Sequence, residues 1–215
     1  MSILQYPAKL PIFDQPHRSI TMKKSLFLFF AAALMFVGMN ASAQVSFGAG
    51  PATRLYFEKG QKVDYTYGVS MYFEDSRRVS DYFGYSAGLD FGTYGKKDFF
   101  SANDGLSEVY VDIPVRAKLY IPVSDGFQLY FFGGVAPSVC VSSNVTTENG
   151  KSSRFDEGMA YSRYDVLAGG GIGMEVGERF KFTFGYDHGI LDRDKTDLGV
   201  MRVGAAKVGV EFVFD

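Results

Sequence analysis

The glycine run Gly169-Gly170-Gly171-Ile172-Gly173 is the first stretch whose residue types could do chemistry. Backbone amides freed of side chains cradle phosphates, but only where a strand ends and a helix opens. Here Met174-Glu175-Val176 leads into a turn and another strand, so nucleotide binding does not follow. Small residues at a bend, or opposite bulky side chains that need room, explain the glycines better. His188 is the only histidine after residue 43, and no cysteine or second histidine stands near it to complete a zinc set. Its place at a strand end suits an aromatic belt. Asp192, Asp194 and Asp197 make an acidic loop without the pattern of a calcium site, which reads as solvated. Asn144-Val145-Thr146 is a formal glycosylation sequon, a pattern too short to carry weight by itself. Cys140 is the sole cysteine, so no intramolecular disulfide can form. No nucleophile elbow occurs among the serines. The chain therefore does not read as an enzyme, and no cofactor or metal site is expected.

Charge placed at alternate positions is the more informative pattern. Arg54, Asp90, Asp112, Arg116, Lys118, Arg163, Asp165, Lys181, Asp187, Lys207 and Glu211 each fall among small or polar residues that alternate with apolar ones. Alternation with period two sends successive side chains to opposite faces of a strand. From Val200 to Phe214, Val208, Val210, Phe212 and Phe214 share one face, and Lys207, Gly209 and Glu211 the other. From Glu108 to Ile121, seven apolar residues from Val109 to Ile121 oppose Asp112, Arg116, Lys118 and Tyr120. Phe180, Phe182, Phe184 and Tyr186 oppose Lys181, Thr183, Gly185 and Asp187. Val63, Tyr65, Tyr67, Val69, Met71 and Phe73 oppose Asp64, Thr66, Gly68 and Ser70. Weaker strands are expected over about 45–57, 83–94, 127–142 and 161–176, which makes eight.

A soluble sandwich also alternates, so the faces decide. The apolar faces carry almost no charge, while the opposite faces carry both signs. In a closed eight-stranded barrel the mixed face turns inward, where charges can pair. Connections also alternate in length. Glu74–Tyr82, Pro122–Gly126 and Gly177–Glu178 are the shorter set; Gly95–Ser107, Ser143–Ala160 and Leu191–Gly199 the longer, with Glu58–Lys62 a short exception. Short periplasmic turns facing long outer loops are expected of an outer-membrane barrel.

The first residues supply a route to that membrane. Ser25 to Met39 is an uncharged apolar run preceded by Lys23 and Lys24 and followed by Ala41-Ser42-Ala43. This is a secretory signal, helical in type and too short to span a bilayer at about 20 residues, with cleavage expected after Ala43. It begins at Met22, so residues 1–21 are expected to be a start-site artefact or disordered extension, 22–43 the signal and 44–215 the barrel domain. A net charge of -2 gives no reason to expect a nucleic-acid partner.

Several stretches resemble a known family. Asp112-Ile-Pro-Val-Arg-Ala-Lys-Leu-Tyr120 resembles the "(E/D)-I-P-L-x-x-K-Y" strand of the porin-family outer-membrane β-barrel domain proteins common in Bacteroidetes. Leu167 to Glu175 is similar to that family's Gly-rich strand, and Phe182 to Ile190 to its penultimate strand. The end of the chain resembles the assembly signal of such barrels, through Lys207, Gly209, Phe212 and Phe214, although it finishes on Asp215 instead of an aromatic. The resemblance implies an all-β, eight-stranded, antiparallel, up-and-down transmembrane barrel. It implies as partners outer-membrane lipid, periplasmic chaperones and the barrel-assembly machinery, with a monomer as the working form.

Eight strands leave an interior wide enough only for side chains. The expectation is a lumen filled by salt bridges and a structural or surface-interaction role in the outer membrane of a Gram-negative bacterium. The alternative is a narrow porin-like channel for small solutes or ions.

Overall fold

The computed structural model describes residues 43–58, 63–99, 104–148, 150–155, 161–177, 179–194 and 200–214. Residues 1–42, which hold the expected extension (1–21) and all but the last residue of the expected signal (22–43), lie outside them. Among the described residues the chain is all strand: β1 (Ala43–Glu58), β2 (Asp64–Arg78), β3 (Phe83–Lys97), β4 (Gly105–Asp112), β5 (Val115–Ser124), β6 (Phe127–Thr147), β7 (Gly150–Ser153), β8 (Tyr164–Val176), β9 (Phe180–Gly189) and β10 (Met201–Phe214).

Eight positions in a ring result. β4 and β5 are two halves of one staved position, since both pair with β3 on one side and β6 on the other. The break falls at Pro114, which has no N–H to give to the ladder. Hydrogen bonds carry the sheet across it: the Ile113 N–H donates to the Pro137 carbonyl at 2.9 Å and the Gly88 N–H to the Pro114 carbonyl at 3.0 Å. β7 is an extra short strand that folds back on the far end of β6. β1 pairs antiparallel with both β2 and β10, so the sheet closes and no edge is left in the ring.

The register gives the barrel its width. Following partners from Gln44 through Ser76, Ser86, Arg116, Gly134, Gly169, Asp187 and Ala205 returns to β1 at Arg54, ten residues beyond the starting point. With strands about 4.8 Å apart and about 3.3 Å of rise per residue, that stagger tilts eight strands by about 40° and sets a backbone radius of about 8 Å. A cylinder of that radius is wide enough to take inward side chains.

The strands run longer than the sequence pattern suggests. β2 continues to Arg78, which shortens the expected Glu74–Tyr82 connection to Val79–Tyr82. β3 reaches Lys97, and β6 runs for 21 residues before turning back as β7, so part of the expected outer loops is strand. The connections at the other end are tight. Gly126 (φ 74°) and Gly177 (φ 61°) take the left-handed conformation that closes two of these turns, and the Gly177 N–H donates to the Gly126 carbonyl at 2.7 Å.

Candidate functional site

The barrel is polar inside and apolar outside. Val69, Met71 and Phe73 on β2, Phe180, Phe182 and Phe184 on β9, and Val208, Val210, Phe212 and Phe214 on β10 are all exposed. Each such side chain forgoes about 1.5–3 kcal/mol if left in water, so the outer face requires an apolar surround. Exposed charges such as Glu58, Lys97, Arg163 and Arg202 lie at the loop end, and Asp81, Asp125 and Arg179 at the turn end.

The inner face holds the ionic groups. Asp112 is a hub: it accepts from the Arg54 Nη2 at 2.7 Å, the Ser138 hydroxyl at 2.6 Å and the Lys207 Nζ at 3.0 Å. Lys207 reaches Asp90 as well, at 2.6 Å, and the Arg54 guanidinium lies 4.0 Å over the Tyr110 ring. Arg116 pairs with Asp187 at 2.9 Å and lies over Phe132. Lys118 pairs with Glu74 and also donates to Ser76 at 3.0 Å. Glu211 accepts from Ser46 at 2.8 Å. Lys181 is fully buried and stands in register between Glu175 and Glu211, although its Nζ has no hydrogen-bond partner among the described residues. Asp165 accepts from the Val166 N–H at 2.7 Å and the Leu191 N–H at 3.1 Å.

Arg163 departs from the expectation. It is exposed, lies over the Phe155 ring and donates to the Val141 carbonyl at 3.5 Å. β8 begins at Tyr164, so Arg163 precedes the alternation that would have turned it inward. Of the end-of-chain set, Lys207 and Gly209 point inward while Phe212 and Phe214 face out. His188 and Asp187 fall on opposite faces: Asp187 pairs with Arg116 inside, and His188 Nδ1 lies 2.9 Å from the Tyr186 hydroxyl.

Several interior residues escape the sequence reading. Glu108, fully buried, accepts from Tyr56, from the Ser143 hydroxyl at 2.7 Å and from Tyr110 at 3.2 Å, with the Arg154 Nη1 at 3.4 Å. Its even number, shared with Asp112 and Arg116, was the available signal. Glu74 continues the Thr66–Ser70 face and Glu175 the Asp165 face, so parity pointed to both. Arg193 gave no signal, because it comes from a connection. It is 1% exposed, its Nε donates to the Ser162 carbonyl at 2.7 Å, and its carbonyl accepts from the Ser162 N–H at 2.8 Å. It thereby ties the β9–β10 connection to the segment before β8. Burial, helped by the Glu108 carboxylate, raises the Tyr161 phenol, which stays a neutral partner of Tyr110 at 3.1 Å. The glycine run has its explanation too: a Cβ at Gly173 would overlap the Tyr130 ring.

The interior is not evenly packed. A cavity of about 50 Å³ lies among Glu74, Lys118, Asp90, Lys207 and Glu211. An open bowl of about 480 Å³ faces the turn end, between Gln44, Arg78, Gln128 and Glu175. Among the described residues, no group of histidine, cysteine, aspartate and glutamate has the arrangement of a metal site.

A closed ring of tilted strands with paired charges within and apolar side chains without is a transmembrane β-barrel. The chain belongs to the outer membrane protein beta-barrel domain family, whose profile matches residues 29–214. It is accordingly an outer-membrane protein of the Gram-negative type. Among solved structures it is similar to Ail, the attachment invasion locus protein of Yersinia pestis (18% identity, 82% of this chain and 100% of that one, TM-score 0.49). It is also similar to Neisserial surface protein A (15%, 82% and 100%, 0.49) and to OprG of Pseudomonas aeruginosa (14%, 81% and 97%, 0.41). No curated protein sequence matches it.

Proposed function

We propose that the barrel is a non-enzymatic element of the outer membrane that stabilises the envelope or displays its outer loops, and that its lumen passes no solutes. The observation that carries this reading is the chain Arg54–Asp112–Lys207–Asp90, four interlinked charges across a cylinder of about 8 Å radius. Opening it would strip each ion of its partner, at several kcal/mol per uncompensated charge. At the loop end Tyr56, Tyr110, Tyr161 and Arg193 add a second obstruction. The reading includes export through a signal cleaved after Ala43, delivery by periplasmic chaperones to the barrel-assembly machinery, and residence as a monomer in lipid. Purified protein in planar bilayers is expected to give no stable single-channel steps. Reproducible steps would establish the narrow porin-like channel instead.

A further inference from the structure

The outer wall of the barrel carries little charge, and one cation in it has no counter-ion from the chain. Arg202 is exposed on the outward face of β10, in register with Phe57 of β1. Among the described residues its side chain makes no ion pair, hydrogen bond or ring contact. Apolar side chains continue past it toward the loop end: Val200, Ile190 and Leu191 are 44%, 49% and 44% exposed. Arg202 therefore stands within the apolar wall and not above it. Arg77, near the turn end of β2, differs, because Asp75 on the same face of its strand pairs with it at 3.3 Å. A charge at a lipid surface needs a partner, and here the surroundings must supply it.

The surface beside Arg202 is already arranged. The His188 ring of β9 lies 5.1 Å from the Phe57 ring, so Arg202 and His188 flank the same side chain. The Tyr186 hydroxyl holds His188 Nδ1 at 2.9 Å. Gly204, the next outward residue on β10, leaves room for that pair, since a Cβ there would come within 2.8 Å of the Tyr186 hydroxyl. With that hydroxyl donating to Nδ1, the ring proton sits on Nε2 and gives a second donor next to the guanidinium. A guanidinium suits the paired oxygens of a phosphate. An anion that reaches it inside an apolar wall must itself be joined to acyl chains. Short turns of an outer-membrane barrel face the periplasm, which puts the loop end and Arg202 at the outer leaflet.

We propose that Arg202, with His188 beside it, binds the phosphate of a phosphorylated lipid of the outer leaflet, whose chains lie along the apolar wall. The inference rests on residence of the barrel in the outer membrane and not on the closed lumen. The readings fail separately: conductance tests the lumen, membrane fractionation the residence, and lipid titration the site.

Protein purified in a non-ionic detergent is titrated with lipid A, with the same lipid after phosphatase treatment, and with inorganic phosphate. Binding is followed by native mass spectrometry and by NMR of the arginine side chains. Lipid A is expected to saturate, and the dephosphorylated lipid to bind at least about 10-fold more weakly, the loss of one charge-assisted contact. Inorganic phosphate, which lacks the chains, is expected not to saturate. Arg202→Gln is expected to erase the preference for the phosphorylated lipid, and His188→Phe to reduce it by about 3-fold, the loss of one hydrogen bond. Arg163→Gln, an exposed loop-end cation outside the site, is expected to leave it unchanged. All three variants are expected to keep the heat-modifiable gel mobility of a folded barrel. Equal affinity for the two lipids, a preference unchanged in folded Arg202→Gln protein, an equal loss in Arg163→Gln, or inorganic phosphate binding as tightly as lipid A would overturn the proposal.

Discussion

The loop end and the turn end of the interior are built from the same residue types and hold their buried glutamates differently. At the loop end Glu108 accepts from Tyr110 on its own strand, from Tyr56 and Ser143 on other strands, and from Arg154 in the segment after β7. At the turn end Glu175 has Arg78 alone, and Arg78 Nε, Glu175 Oε1, Tyr120 Oη and Tyr130 Oη are all without partners. Long connections can drop side chains such as Tyr161 and Arg193 into the barrel. Turns as short as Asp125–Gly126 cannot. The hold on the buried glutamate of each end thus follows loop length, although Thr66 Oγ1, Tyr94 Oη and Arg193 Nη2 at the loop end are also without hydrogen-bond partners among the described residues.

The largest expected effect tests this contrast directly. Glu108→Ala leaves the Tyr56 and Ser143 hydroxyls without their acceptor in a dry mouth, a loss of about 3–5 kcal/mol. Glu175→Gln, at the partly open end, should cost only about 1 kcal/mol, because Arg78 can turn to solvent. Urea titration of the folded gel band reads both; equal losses would break the comparison. An intermediate effect is expected at Gly209, where a Cβ would run into the Tyr72 hydroxyl and approach the Thr183 hydroxyl at 2.8 Å. Gly209→Ala should destabilise by about 1–3 kcal/mol, and Tyr72→Phe should restore part of that if the clash is the cause. The smallest effect belongs to Arg163. Exposed and outside β8, it should tolerate replacement by alanine to within about 0.5 kcal/mol in the same titration, whereas a lumen member would not.

Much of the barrel was legible because strand alternation is local. Phe180 to Asp187 reveals its two faces from eight consecutive residues, whatever lies beside them. The inward placement of Asp112, Lys118, Lys181 and Glu211 follows from parity alone. Parity failed where the strand itself was misjudged. Ending β2 at Phe73 hid Glu74, and starting β8 at 161 turned Arg163 inward. It also fails at irregularities. Between the pairs Val109↔Ser142 and Tyr110↔Cys140, Val141 is an extra residue, so Cys140 and Ser143 both face inward and Ser143 reaches Glu108. Nothing in the local pattern marks that bulge.

By itself, then, the sequence determined an all-β chain and two chemically distinct faces, since each depends on neighbours a few residues apart. Only the tertiary structure decided which charges meet. Arg54 finds Asp112 and Lys207 finds Asp90 across separations of 58 and 117 residues, set by a ten-residue stagger that no single strand encodes. It also decided that one mouth is closed and the other open. That outcome depends on where Tyr161 and Arg193 come to rest once the ring has closed, and a loop residue acquires its neighbours only then.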